Sequence, residues 1–148
     1  MPDPVSPDAA GAPQPEPFIW PVRVYYEDTD AGGVVYYANY LKFTERARTE
    51  WLRTCGFEQT DLAEKHGVIF VVRSVAIDYL KPARFNDSLQ VSVELIKVGA
   101  GHIRLAQRVL RGEEVVATGA VTVACVSVRT MRPVRMPRSL AEKLAPLT

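Results

Sequence analysis

The sequence predicts an α+β fold in which a strongly curved antiparallel sheet wraps one long helix. Two observations carry this: a broad apolar stripe at helical spacing between Asn39 and Gly56, and apolar–polar alternation of period two in nearly everything after Gly67. A helix apolar on so wide a face needs cover, and a curved sheet supplies it. The 148 residues suit one domain, and a chain of this length buries roughly 68–70% of its extended surface.

Met1 to Pro17 stands apart. Six of the 11 prolines lie there among Ala, Asp, Gln and Glu. With few apolar groups to bury, residues 1–17 are expected to be a disordered tail. The domain is then residues 18–139, followed by a C-terminal tail at 140–148. Ile19–Tyr26, aromatic and β-branched, reads as a strand despite Pro21. Asp28–Gly33 is turn chemistry, with short polar side chains and then two glycines.

Asn39 is suited to cap a helix, on which Tyr40, Phe43, Ala47 and Trp51 share a face widened by Leu41, Leu52 and Cys55. Gly56 is the expected stop, and Thr60–His66 the expected second, short helix. Four strands follow. Val75, Ile77 and Tyr79 share one face; Leu89, Val91, Val93 and Leu95 another; Ile103, Leu105 and Val109 a third. Val115–Val128 is apolar on both faces and therefore belongs inside the sheet or at a subunit contact. Gly99–Gly101 and Arg111–Glu113 are short enough for hairpins. Beyond them Arg129, Arg132, Arg135 and Arg138 recur every three residues, but Pro133 and Pro137 deny that spacing a helical face.

Composition narrows the function. Lys and Arg total 18 against 17 Asp and Glu, a net charge of +1, which argues against a nucleic-acid binder. No apolar run approaches the length of about 20 residues that a membrane helix needs. Cys55 and Cys125, with no CxxC spacing, read as reduced, buried thiols in a reducing compartment, and the expected location is the cytoplasm. His66 and His102 are the only histidines, too few for an ordinary zinc cage, and His102 is expected to face solvent. No metal or separate cofactor is expected.

The segment Tyr25–Tyr40, YYEDTDAGGVVYYANY, is the informative one. It sets Glu27, Asp28 and Asp30 just before a glycine turn, a short apolar arm, and a helix start whose N–H groups lack intrahelical partners. An acid able to activate water thus lies one loop away from donors able to hold an oxyanion. Acids before a helix are also ordinary turn-formers, and the spacing alone leaves both roles open.

This stretch resembles the signature of the 4-hydroxybenzoyl-CoA thioesterase-like hot-dog proteins, and among them the bacterial acyl-CoA thioesterases encoded with the Tol–Pal cell-envelope system. The resemblance continues through Tyr40–Arg53, Phe70–Arg73, Tyr79–Asp87 and Met131–Pro137. It implies a hot-dog fold, a five-stranded sheet curled around the helix, in dimers joined edge to edge and often paired into homotetramers. It further implies that Asp30 is the catalytic carboxylate and that the Tyr37 N–H polarises a thioester carbonyl. Gly33, Val35, Tyr36, Asn39, Tyr40 and Arg73 become substrate-binding positions, with Lys81 and Arg84 offered to the CoA phosphates. CoA enters only as part of the substrate.

The chemistry is self-consistent. One preorganised oxyanion donor is worth about 2.7–4 kcal/mol, and a thiol of pKa about 8.5 leaves without strong acid help. Asp30 can serve as general base or as nucleophile. Many Tol–Pal-type relatives carry histidine where this chain has Tyr37, whereas 4-hydroxybenzoyl-type enzymes carry tyrosine. A tyrosine of pKa about 10 is no base at neutral pH, so only the backbone at Tyr37 is expected to matter. The turn Val98–His102 lacks the basic cluster that some relatives present to CoA. Competing expectations are an aryl-CoA thioesterase, acting on hydroxybenzoyl- or dihydroxynaphthoyl-CoA, and a non-catalytic adaptor whose arginines meet acyl carrier protein.

Overall fold

The computed structural model describes residues 17–148; the expected proline-rich tail lies outside them except for Pro17. The described chain runs β1 (Phe18–Arg23), α1 (Asn39–Thr54), α2 (Gln59–His66), β2 (Val68–Tyr79), β3 (Ser88–Val98), β4 (His102–Arg111), β5 (Glu114–Ser127) and α3 (Arg138–Leu144). The strands form one antiparallel sheet in the order β1-β3-β4-β5-β2. The β3–β4 and β4–β5 joints are the hairpins expected from the glycines. β5, apolar on both faces, is internal, flanked by β4 and β2.

The concave face of the sheet closes on α1. Phe43 and Ala47 are fully buried, and Tyr40, Trp51, Leu52 and Cys55 nearly so, against Leu89, Val91, Val93, Leu105, Val109 and Val121. Burying a Phe43-sized side chain contributes about 1.5–3 kcal/mol. Leu41 departs from expectation: it is exposed, on the outer face of the helix that it shares with the exposed Lys42 and Glu45. Asn39 also differs. The helix begins at Asn39 itself, with Ala38 in the capping position and no side-chain cap.

A bulge keeps β2 in phase with the core. Val72 pairs with Val123 and Ser74 with Thr122, so Arg73 is the unpaired extra residue. The inserted residue lets Phe70 and Val72 before it, and Ile77 and Tyr79 after it, all meet the helix side of the sheet. A second irregularity, between Val109 and Leu110 on β4, leaves Val116 of β5 without a register partner. Its carbonyl accepts from the N–H groups of Leu80 (2.9 Å) and Lys81 (3.1 Å), anchoring the loop after β2.

The expected tail at 140–148 is corrected. After Pro137, Arg138–Leu144 forms α3, and Leu140 and Leu144, one turn apart, are completely buried in the common core. The domain therefore continues past residue 139. The preceding strap is sewn down by Val134 N–H to Cys125 O at 3.0 Å and Met136 N–H to Ala100 O at 2.9 Å. Arg129, Arg132, Arg135 and Arg138 are all exposed. His102 does not stand out in solvent as expected: its ring lies over Gly99, where a Cβ would fall 2.3 Å from the imidazole.

Candidate active site

The loop between β1 and α1 is built almost wholly from short-range polar contacts. The Asp28 carboxylate accepts from Tyr25 N–H at 2.8 Å and closes the turn at Tyr26–Asp28, so this acid is committed to structure. The carbonyl of Asp28 accepts from both Tyr36 N–H and the Asn39 side-chain amide, each at 2.9 Å. Asn39 is buried and its side-chain amide ties the loop to the helix.

Asp30 sits at the tip of this loop. Its N–H donates to Val34 O at 2.9 Å and its carbonyl accepts from Gly33 N–H at 3.0 Å. Gly33, at φ +77, takes the left-handed conformation this closure requires. One carboxylate oxygen of Asp30 accepts from Gly32 N–H at 2.9 Å, while the other has no partner among the described residues. The side chain is exposed in the single chain. Its charge reaches Tyr36, whose hydroxyl is held above the ordinary tyrosine value first by Tyr37 beside it, and more weakly by Asp30.

From Asp30 the chain returns through Val34 and Val35, bridged on one side to Thr29 and on the other to Arg84. Val35 N–H donates to Ala83 O at 2.8 Å. The next peptides enter α1. Among the described residues no acceptor takes the N–H of Tyr37 or Ala38, as expected where a helix opens. The Tyr37 carbonyl accepts from the Tyr79 hydroxyl at 3.1 Å, which fixes the orientation of the following peptide. Tyr79 packs edge-on against both Tyr37 and Tyr40. Burial, and then Tyr37, raises the Tyr79 pKa.

An apolar cavity of about 260 Å³ opens here, lined by Val35, Tyr37, Tyr40, Tyr79, Leu80, Lys81 and Pro82. Of the expected site residues, the fold therefore brings Val35, Tyr37, Tyr40 and Lys81 together. Asp30, Gly33 and Tyr36 remain on the adjoining loop, outside the lining of this cavity within one chain. Arg73 projects from the β2 bulge on the sheet's free edge and lines no part of it. Tyr79 and Leu80 were not anticipated. In the sequence Tyr79 is only the last apolar residue of an alternating strand, and its partner Tyr37 is 42 positions away.

The loop after β2 is braced by charge. The Arg111 guanidinium donates to Pro82 O at 2.9 Å and Asp87 Oδ2 at 2.8 Å, and also to Glu114. Glu114 in turn holds Lys81 at 2.8 Å. Burial would raise the Asp87 pKa, but the Arg84 N–H and Arg111 outweigh it and hold the carboxyl below its ordinary value. Lys81, expected to meet phosphate, is thus already engaged. Arg84 is exposed and forms no ion pair among the described residues.

Neither cysteine is activated: burial pushes the thiols of Cys55 and Cys125 above their ordinary value. Among the described residues no group of three or more His, Cys, Asp or Glu could hold a metal ion, and no helix is long and apolar enough to cross a membrane.

Comparison with known proteins decides the family. The sequence model of the thioesterase-like superfamily matches residues 24–144. The chain belongs to that superfamily. Within this superfamily it is 49% identical to the acyl-CoA thioesterase YbgC of Haemophilus influenzae over 123 residues, 83% of this chain and 90% of that one. A probable thioesterase from Bartonella henselae superposes with a TM-score of 0.78 at 35% identity, covering 82% of this chain and all of that one. A DHNA-CoA thioesterase from Staphylococcus aureus gives 0.82 at 25% identity, covering 88% and 89%. The thioesterase-like match and these neighbours make the helix-in-sheet architecture a hot-dog fold, and the protein a thioester hydrolase.

Proposed function

We propose that the protein hydrolyses acyl-CoA thioesters at the loop joining β1 to α1, with Asp30 and the Tyr37 N–H as its working groups. The observation that carries this is the unsatisfied Tyr37 N–H beside an apolar cavity, one short arm away from a carboxylate with one oxygen free. The thioester carbonyl accepts from Tyr37 N–H. Asp30 takes a proton from water as the water oxygen bonds to the carbonyl carbon. The negative charge that forms on the carbonyl oxygen is held by the same N–H. When the tetrahedral species collapses, the C–S bond breaks and CoA leaves as thiolate, taking the proton back from Asp30. In the nucleophilic variant Asp30 itself bonds to the carbonyl carbon, the C–S bond breaks and CoA leaves as thiolate, and water then hydrolyses the resulting anhydride, freeing the acid and Asp30. No separate cofactor enters either route.

The expected products are free acid and CoA thiol. Thiol release should be followed on short aliphatic, long aliphatic and aromatic CoA esters and on acyl carrier protein thioesters, for wild type and Asp30→Asn. Equal inertness of both proteins on every substrate would replace the reading with the adaptor one. A single-turnover reaction in ¹⁸O water tests the nucleophilic route: label in the Asp30 carboxylate requires water to have opened an anhydride at that carbon, whereas direct attack of water on the thioester labels the free acid alone. Aromatic substrates have specific support: Tyr37, Tyr40 and Tyr79 converge on the cavity, and a DHNA-CoA thioesterase is among the structural neighbours.

The assembly belongs to the same reading. β2 is bonded to β5 alone and leaves an edge with Val72 and Val75 exposed, which suits pairing with a second copy. Light scattering should return two or four chain masses; a monomer would remove the edge-to-edge dimer. A cytoplasmic location, linkage to the Tol–Pal system and acyl carrier protein as a partner complete the proposal. The location is supported by the two free thiols, Cys55 and Cys125, the Tol–Pal linkage by the sequence resemblance, and the carrier protein by the exposed Arg129, Arg132, Arg135 and Arg138.

A further inference from the structure

A second cavity, of about 180 Å³, lies under the middle of α1 and reaches the sheet at β2, β4 and β5. It is separate from the Tyr37 cavity and shares no lining residue with it. Its walls are mostly apolar, with Trp51, Phe70, Leu105 and Val123 among them, and they carry the side chain of Arg48. That arginine is partly buried and forms no ion pair among the described residues. Its recorded hydrogen bond is from Nη1 to Gln107 Oε1, at 3.0 Å. Gln107 is itself buried, and its amide is oriented by donation to Thr44 O at 3.0 Å.

The arginine is therefore held from behind by a neutral amide while most of its five donors are unused. Arg46, Arg73, Arg84 and Arg104 also lack an ion pair among the described residues, but they are exposed to water, whereas Arg48 is partly buried. Burial pulls Arg48 below the ordinary arginine value, with the nearby Glu45 charge opposing the shift. Glu45 also lines the cavity, but it is exposed and outside ion-pair distance, so water screens it. A guanidinium remains charged at neutral pH. A cation withdrawn from water with only an amide for company favours an anion in the space before it. Size limits the body of that anion. An apolar cavity of about 150 Å³ is enough for one benzene ring, so this one takes a single ring or a short chain.

We propose that this cavity binds a small carboxylate-bearing apolar molecule, with the Arg48 guanidinium as anion receptor and Gln107 as the residue that positions it. The site is independent of Asp30, so it stands or falls apart from the hydrolytic reading.

Calorimetric titration of the full chain with benzoate and with hexanoate tests it, benzyl alcohol and hexanol being the uncharged counterparts. At least one acid should bind once per chain, about tenfold or more tighter than its alcohol. Asp30→Asn should bind it as wild type does, and Arg48→Met should weaken it by a similar factor. The preferred acid tells whether the site suits a ring or a chain. Acid and alcohol binding equally to wild type would overturn the assignment without reliance on any variant. So would undiminished binding by folded Arg48→Met, loss of binding in Asp30→Asn, or no heat from either acid into the millimolar range.

Discussion

Asp30→Asn keeps the shape of the side chain but removes its ability to take a proton or attack a carbonyl. The amide oxygen can still accept from Gly32 N–H, so the loop should survive. Turnover is expected to fall by about a hundredfold to ten-thousandfold, with little change in KM, as read by thiol release under saturating substrate. Tyr37→Phe is the complementary case. The proposed chemistry uses the backbone N–H, and the exposed Tyr37 hydroxyl is not its donor. Most of the turnover should be retained; a collapse would mean that the phenol takes part. Asp28 has the structural role expected of an acid that closes a turn. It lies two positions from Asp30 and has the same chemistry, yet its carboxylate is consumed by Tyr25 N–H.

Helices and strands were legible where one face repeats. Tyr40, Phe43, Ala47 and Trp51 mark α1 because an amphipathic helix must present every third or fourth residue to its cover. α3 was missed because its signal is a single pair, Leu140 and Leu144, after a proline-broken and basic stretch. Both are fully buried, so the last helix belongs to the core. Leu140→Ala should destabilise the protein by about 2–5 kcal/mol, seen as a lower urea midpoint with the far-ultraviolet spectrum of the folded state kept. A loss of only a few tenths would show that α3 is a detachable appendage. The β2 bulge was equally hidden. Alternation around Val75 is visible, but the extra residue at Arg73 is defined only by its register against β5.

For the molecule as a whole, the bracing of the loop after β2 predicts a pH dependence of stability. Asp87 has a folded pKa below its unfolded value of about 3.9. Its contribution is therefore fully present above that value and is lost as the pH falls from about 4 through the folded pKa. At pH 7 Asp87→Asn should cost about 1–3 kcal/mol, because Arg111 loses its charged partner in a partly buried site. In urea unfolding at pH 3 the difference from wild type should shrink; a gap that stays constant or widens on acidification would remove this ion pair from the account. The same scale governs Lys81. In the sequence it is a free cation near the motif, whereas the fold pairs it with Glu114, 33 positions later.

The sequence by itself determined the long helix, the hairpins and the loop carrying Asp30 and Tyr37, since each depends on contacts between residues close along the chain, and it determined the fold class through the periodicity of each segment. Only the tertiary structure decided what meets the side chains and peptides around the two cavities: Tyr79 on the Tyr37 carbonyl, Ala83 on Val35, Glu114 on Lys81 and Gln107 on Arg48. Those partners arrive from 33 to 59 positions away where the separations are set by hydrogen-bonded side chains. Periodicity encodes which way a residue points, and pairing register, which it does not encode, sets what the residue meets.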